Sequence, residues 1–221
     1  MLKKNIVQLS LLCAVSFFSV TSFAAWQWAN KPLHPFYVGA TGGYGETTWG
    51  QLVSDNSDDS PALDMSAPIN ASEGGLVWGV YGGYEFIRAF ALEASYMRYP
   101  TASIQFSPLS FFSFFHDGRT SFSSKTESVS LVAKVMVPIP CSSFRLYSTF
   151  GAAGVHRDDV AANVWRLSPQ FGAGLNYDIT DRTMLELGTE YVAGYGQSEL
   201  EPATHYIPFL YSGFLRIAYR I

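Results

Sequence analysis

Charge is scarce in this chain: 14% of its 221 residues are Asp, Glu, Lys or Arg, against 48% hydrophobic and 16% aromatic. With 19 glycines, that balance suits one domain of short strands better than a helical protein. Cysteine is nearly absent. Cys13 follows Leu12 rather than a small residue, so it does not read as a lipidation site. Cys141 is then a lone thiol that cannot close an internal disulfide. Basic residues are the minority, 14 against 18 acidic, and Lys3 and Lys4 fall in a segment expected to be removed, which excludes nucleic acid as a natural partner. Past residue 25 no run reaches the ~20 apolar residues of a membrane helix. A mature chain in a membrane could therefore cross it only as a closed barrel, since open backbone groups cannot be left in lipid.

The N-terminus has the order of a secretory signal peptide: Lys3 and Lys4, an apolar run from Ile6 to Phe18, then Ser22, Phe23 and Ala24. Cleavage is expected after Ala24, giving a signal peptide over 1–24, a short lead over 25–35 and one domain over 36–221.

What fills that domain is alternation. In residues 76–86, Leu76, Trp78, Val80, Gly82, Tyr84 and Phe86 share one face, opposite Val77, Gly79, Tyr81, Gly83 and Glu85. A tight turn follows, and Phe90, Leu92, Ala94 and Tyr96 then alternate with Ala91, Glu93, Ser95 and Met97. The spacing predicts a β-hairpin with an apolar, aromatic-ended face and a small, polar one, the division needed when one side meets lipid and the other a crowded lumen. The same period predicts strands in 36–44, 127–137, 146–154, 165–177, 184–191 and 209–221, eight in all. Residues 46–74, with six acidic residues and neither Lys nor Arg, read as a long solvated loop, and 100–124 as a second. Loops are long after the first and third strands and short after the second, fourth and sixth. This is the asymmetry of an outer-membrane barrel, here an eight-stranded antiparallel up-and-down transmembrane β-barrel of all-β class.

FYVGATGGYG, then GVYGGYEF with a tight turn into FALEASY, and a last strand of alternating aromatic and apolar residues resemble the eight-stranded transmembrane domain of outer membrane protein A and its small relatives. The likeness covers residues 36–221, with Ile221 where the family usually ends in Phe. It implies a location in the outer membrane, contact with membrane lipid and lipopolysaccharide, and recognition of the C-terminal strand by the barrel-assembly machinery. The separate peptidoglycan-binding domain of larger members is expected to be missing.

Glu93, Lys134, Glu186 and Arg216 each lie about five residues from the periplasmic ends of their strands and face inward, so at ~3.3 Å per residue they should meet at one level. Glu190, one layer higher, is placed to share Arg216. Charges in so narrow a lumen survive when paired, which predicts a filled barrel, with an ion path as the competing reading. Arg98 faces outward near the external rim, where lipopolysaccharide phosphates would meet it. Phe111, Phe112, Phe114 and Phe115 do not alternate and mark either a surface-interaction site or packing against the aromatic girdle. A lipid-modifying enzyme would need a His with a Ser nucleophile at the rim; His34, His116, His156 and His205 sit in no such motif, and no enzyme activity is expected. Asp55 to Asp59 lacks the Gly and Glu of a calcium loop, so neither metal nor cofactor is expected. The expected role is structural and adhesive, facing a host or neighbouring cell.

Overall fold

The computed structural model describes residues 32–53, 65–196 and 206–221. The expected signal peptide, the middle of the acidic loop with Asp55 to Asp59, and His205 lie outside them. Among the described residues the chain forms β1 (Phe36–Thr47), β2 (Asn70–Ser72), β3 (Gly75–Ile87), β4 (Phe90–Arg98), β5 (Ala102–Gln105), a short helix α1 (Phe111–Phe115), β6 (Ser121–Pro138), β7 (Phe144–Asp158), β8 (Asn163–Asp178), β9 (Thr183–Val192) and β10 (Leu210–Arg220).

Eight of these strands close a ring in which each pairs antiparallel with its neighbour in the chain. β1 meets β10, which joins the two ends of the sheet, and β2 and β5 extend it from the outer end of β6. The alternation read from the sequence is the alternation of burial. Leu76, Trp78, Val80 and Phe86 are exposed on the outer wall while Val77, Tyr81 and Glu85 are buried in the lumen. Closing the ring leaves no unpaired edge for lipid to meet.

The sequence expectation falls short at the outer ends. β6 starts at Ser121 rather than Glu127, and β7 continues to Asp158 instead of stopping at Gly154. Serine, threonine and histidine there weaken the apolar signal, yet the period of two persists because the strands continue into water, where the outer face needs no hydrocarbon. Residues 100–124 are likewise not a plain loop: they carry β5, α1 and the start of β6.

The lumen is layered. Tyr37, Tyr81, Ala91, Met136, Tyr147, Met184 and Ala218 pack together near the periplasmic end. Val77, Met97, Tyr99, Ala153, Val155, Val192, Ile207 and Leu210 pack together toward the outside. Close approach explains two glycines: a Cβ on Gly83 would collide with the ring of Tyr37, and one on Gly188 with the hydroxyl of Tyr147.

Candidate functional site

Between the two apolar layers lie the charges. Arg216 on β10 stands directly across from Glu186 on β9 in register, but its guanidinium reaches across the lumen instead. Nη1 donates to Glu93 at 2.8 Å and Nη2 to Glu190 at 3.2 Å. Lys134 on β6 bridges the remaining acids, donating to Glu93 at 3.1 Å and to Glu186. Tyr37 donates its hydroxyl to Glu93 at 3.0 Å, and Asn176 donates to Glu186 at 2.8 Å. The Arg216 guanidinium also lies 4.0 Å from the ring centroid of Phe214, and the Lys134 ammonium 4.4 Å from that of Tyr147. All five charged residues are buried, so each charge is held by partners rather than by bulk water. The five predicted lumen residues thus meet: Lys134 and Asn176 bond Glu186, and Arg216 bonds Glu93 and Glu190.

Sequence reasoning missed a second tier at the periplasmic mouth. Arg145 donates to Glu85 at 2.7 Å and to Asp178 at 3.2 Å, and Arg220 donates to Asp178 at 2.8 Å. These groups border a cavity of about 520 Å³ that Arg88, Asp181 and His34 also line. Glu85 and Arg220 were legible as inward-facing by alternation. Arg145 and Asp178 sit beside turns, just outside the strand bounds of 146–154 and 165–177 expected from the sequence.

Beyond the outer apolar layer the connections fold into a cap. Trp49, Ala102, Ile104, Phe106, Phe112, Phe122 and Tyr206 form its core. Phe112 stacks on Phe106 with ring centroids 4.4 Å apart and meets Phe122 at 5.1 Å. Arg157 ties the cap to the barrel: it lies over Trp49, donates to the Tyr206 carbonyl at 2.6 Å and pairs with Asp159. The four phenylalanines therefore divide. Phe112 is a core residue, whereas Phe111, Phe114 and Phe115 are exposed, Phe114 by 82%. Phe122 keeps the lumen-side parity of Lys134, so Phe112 packs against that face of the outer end of β6.

Arg98 is exposed at the outer rim, with Nε 3.9 Å from Glu127 on the neighbouring strand. Of the histidines, His116 hydrogen-bonds through Nδ1 to the Phe112 carbonyl and stacks on Phe112, and His156 stacks on Trp165 and reaches Asn163. Cys141 is exposed in the turn between β6 and β7. Among the described residues no group of His, Cys, Asp and Glu is arranged to hold a metal ion.

A family model, the outer membrane protein beta-barrel domain, matches residues 10–212. Among solved structures the chain is similar to OprG from Pseudomonas aeruginosa, at 10% identity and a TM-score of 0.51, covering 86% of this chain and 99% of that one. It is also similar to the N-terminal barrel of OprF from the same organism, at 13% identity and a TM-score of 0.47, and to Neisserial surface protein A, at 14% and 0.47, each covering 84% of this chain and 97% of the other. At these identities the likeness is one of fold. No curated protein matches.

Proposed function

Because the chain belongs to the outer membrane protein beta-barrel domain family, we propose that it is a non-conducting outer-membrane barrel that presents a folded interaction surface outside the cell. Export through a signal peptide cleaved after Ala24 and insertion through the assembly machinery acting on β10 belong to the same reading. The observation that carries it is the cap. β6 continues past the barrel rim, and the connections around it bury Trp49, Phe112 and Tyr206 in a core of their own while leaving Phe111, Phe114 and Phe115 in water. Exposed apolar side chains on a fixed support suit a binding surface.

The lumen supports the non-conducting part of the proposal. Two ionic tiers and two clusters of buried hydrophobic side chains occupy it, and an ion would have to pass both tiers of paired charge. The partners of two histidines support a non-enzymatic role: His116 is held by the Phe112 carbonyl and ring, and His156 by Trp165 and Asn163. Arg98 is assigned to lipopolysaccharide phosphates, with Glu127 as its partner when none is bound; its exposed, long contact leaves the guanidinium available.

Two measurements made together test this. In planar bilayers the purified chain should show no discrete conductance, and cells displaying it should adhere to surfaces that control cells do not bind. Steady channel activity without adhesion would replace the proposal with the ion-path reading.

A further inference from the structure

We propose that α1 is a lipid-inserting knob whose exposed phenylalanines enter the headgroup region of an apposed bilayer with zwitterionic lipids. The inference rests on the surface-interaction reading and names its partner.

Position comes first. Lys134 lies four residues from the periplasmic end of β6, near the middle of the hydrocarbon band. At ~3.3 Å per residue and ~40° tilt, β6 climbs about 30 Å from Lys134 to Phe122, whereas the band extends only about 12 Å from its middle. Phe112 of α1 packs on Phe122, so the knob is carried beyond the hydrocarbon band of the chain's own bilayer, with its apolar side chains exposed.

Chemistry comes second. Leu109 and Phe114 are each 82% exposed, Phe115 69% and Phe111 43%, and none of these side chains has a polar atom to offer a protein pocket. Protein interfaces favour Trp, Tyr and Arg as anchors, all of which can hydrogen-bond. The knob's backbone is also prepared for an apolar medium. Ser110 accepts from the Ser113 amide, Phe114 donates to the Ser110 carbonyl, His116 to that of Phe112 and Gly118 to that of Ser113. A backbone satisfied from within loses little when water is removed. Phe112 and its stacked partners hold the knob in one orientation, so little ordering cost remains at contact.

Charge decides the kind of bilayer. Asp117 and Arg119 beside the helix cancel, and the whole chain is acidic, 18 acidic residues against 14 basic. An anionic surface would repel it and a zwitterionic one would not.

The test uses the full chain held in discs of phosphatidylethanolamine and phosphatidylglycerol, mixed with dye-labelled vesicles and floated on a density gradient. The vesicles are phosphatidylcholine alone, or phosphatidylcholine with an equal part of phosphatidylglycerol. Three proteins are compared: wild type, Phe111→Ser/Phe114→Ser/Phe115→Ser, and Phe114→Leu/Phe115→Leu. All three keep Phe112, and gel migration before and after boiling checks their barrels. Wild type should float with phosphatidylcholine vesicles, the serine variant at least about tenfold less, and the leucine variant close to wild type, because a bilayer responds to apolar area rather than ring shape. Loss in the leucine variant, or stronger binding to the anionic vesicles, would overturn the proposal. Failure on every vesicle while adhesion to cells still requires the phenylalanines would overturn it too, leaving the surface-interaction reading intact. Failure of both vesicle and cell binding would remove that reading as well.

Discussion

Arg216 joins two of the lumen's acids, and what its loss costs depends on which acids are left behind. Its bonds run to Glu93 and Glu190, so Arg216→Ala leaves Glu190 without a cation and Glu93 with Lys134 alone, and should destabilise the barrel by about 3 to 5 kcal/mol. Denaturant unfolding in lipid should reveal stronger coupling in the Arg216→Ala/Glu93→Gln double variant, whose members bond directly, than in Arg216→Ala/Glu186→Gln, whose members share the network without a bond. Equal coupling in both pairs would contradict the observed pairing. The tier also holds three acids, Glu93, Glu186 and Glu190, against two cations, Lys134 and Arg216. Glu190→Gln, which removes the surplus charge, should therefore cost much less than Glu93→Gln, as the same unfolding curves would report. Outside the membrane, burial raises the Glu73 carboxyl above the ordinary carboxylate range, opposed by the Gly50 N–H that it accepts at 3.0 Å. An acid whose folded pKa is raised binds its proton more tightly when folded. Stability is therefore gained as pH falls through that raised value toward the unfolded one, and is missing at neutral pH. Glu73→Gln should abolish the acid-side gain in protease resistance of the segment around Gly50; an unchanged pH profile would assign the gain to another group.

At the scale of elements, the cap and the barrel are separately supported. The eight strands hold one another through ladders that close on themselves, whereas β2 and β5 hang from β6 by short ladders and α1 depends on the aromatic core beneath it. Phe112→Ala removes a ring from that core and should cost on the order of 3 to 5 kcal/mol locally, against almost nothing for Phe114→Ala. Limited proteolysis should then cut residues 100–120 readily in the first variant and not in the second, with the barrel's heat-modifiable migration retained in both. Cleavage in both would mean that α1 is not held by Phe112. The helix terminus has its own requirement. Gly118 takes a φ of +76°, a conformation glycine adopts without strain, and its amide closes the helix on Ser113.

Among the described residues the molecule is a closed ring lined inside by buried side chains, with a second small core at its outer end. Closure makes unfolding cooperative: strands cannot peel from an edge that does not exist. The purified chain should accordingly migrate differently before and after boiling, and Gly188→Val, which forces a side chain into Tyr147 and the neighbouring backbone, should abolish that difference or lower the temperature at which it is lost. Retention of wild-type heat resistance in this variant would show that the lumen around Tyr147 has room to adjust.

The sequence by itself determined the strands, their faces and the inward position of Glu93, Lys134, Glu186, Glu190 and Arg216, because a period of two is a property of each strand's own backbone. It did not determine which charges meet. Arg216 pairs with Glu93, far away in the chain, and not with the register neighbour Glu186. That choice follows from the stagger and tilt imposed when the sheet closes, quantities that no single strand contains. The same holds at the two ends of the barrel. Arg145 and Asp178 become a tier only when the periplasmic turns converge, and Phe112 separates from Phe111, Phe114 and Phe115 only when β6, β5 and Tyr206 supply a surface for it to pack on. Alternation decides which way a side chain points, and closure decides what it finds there.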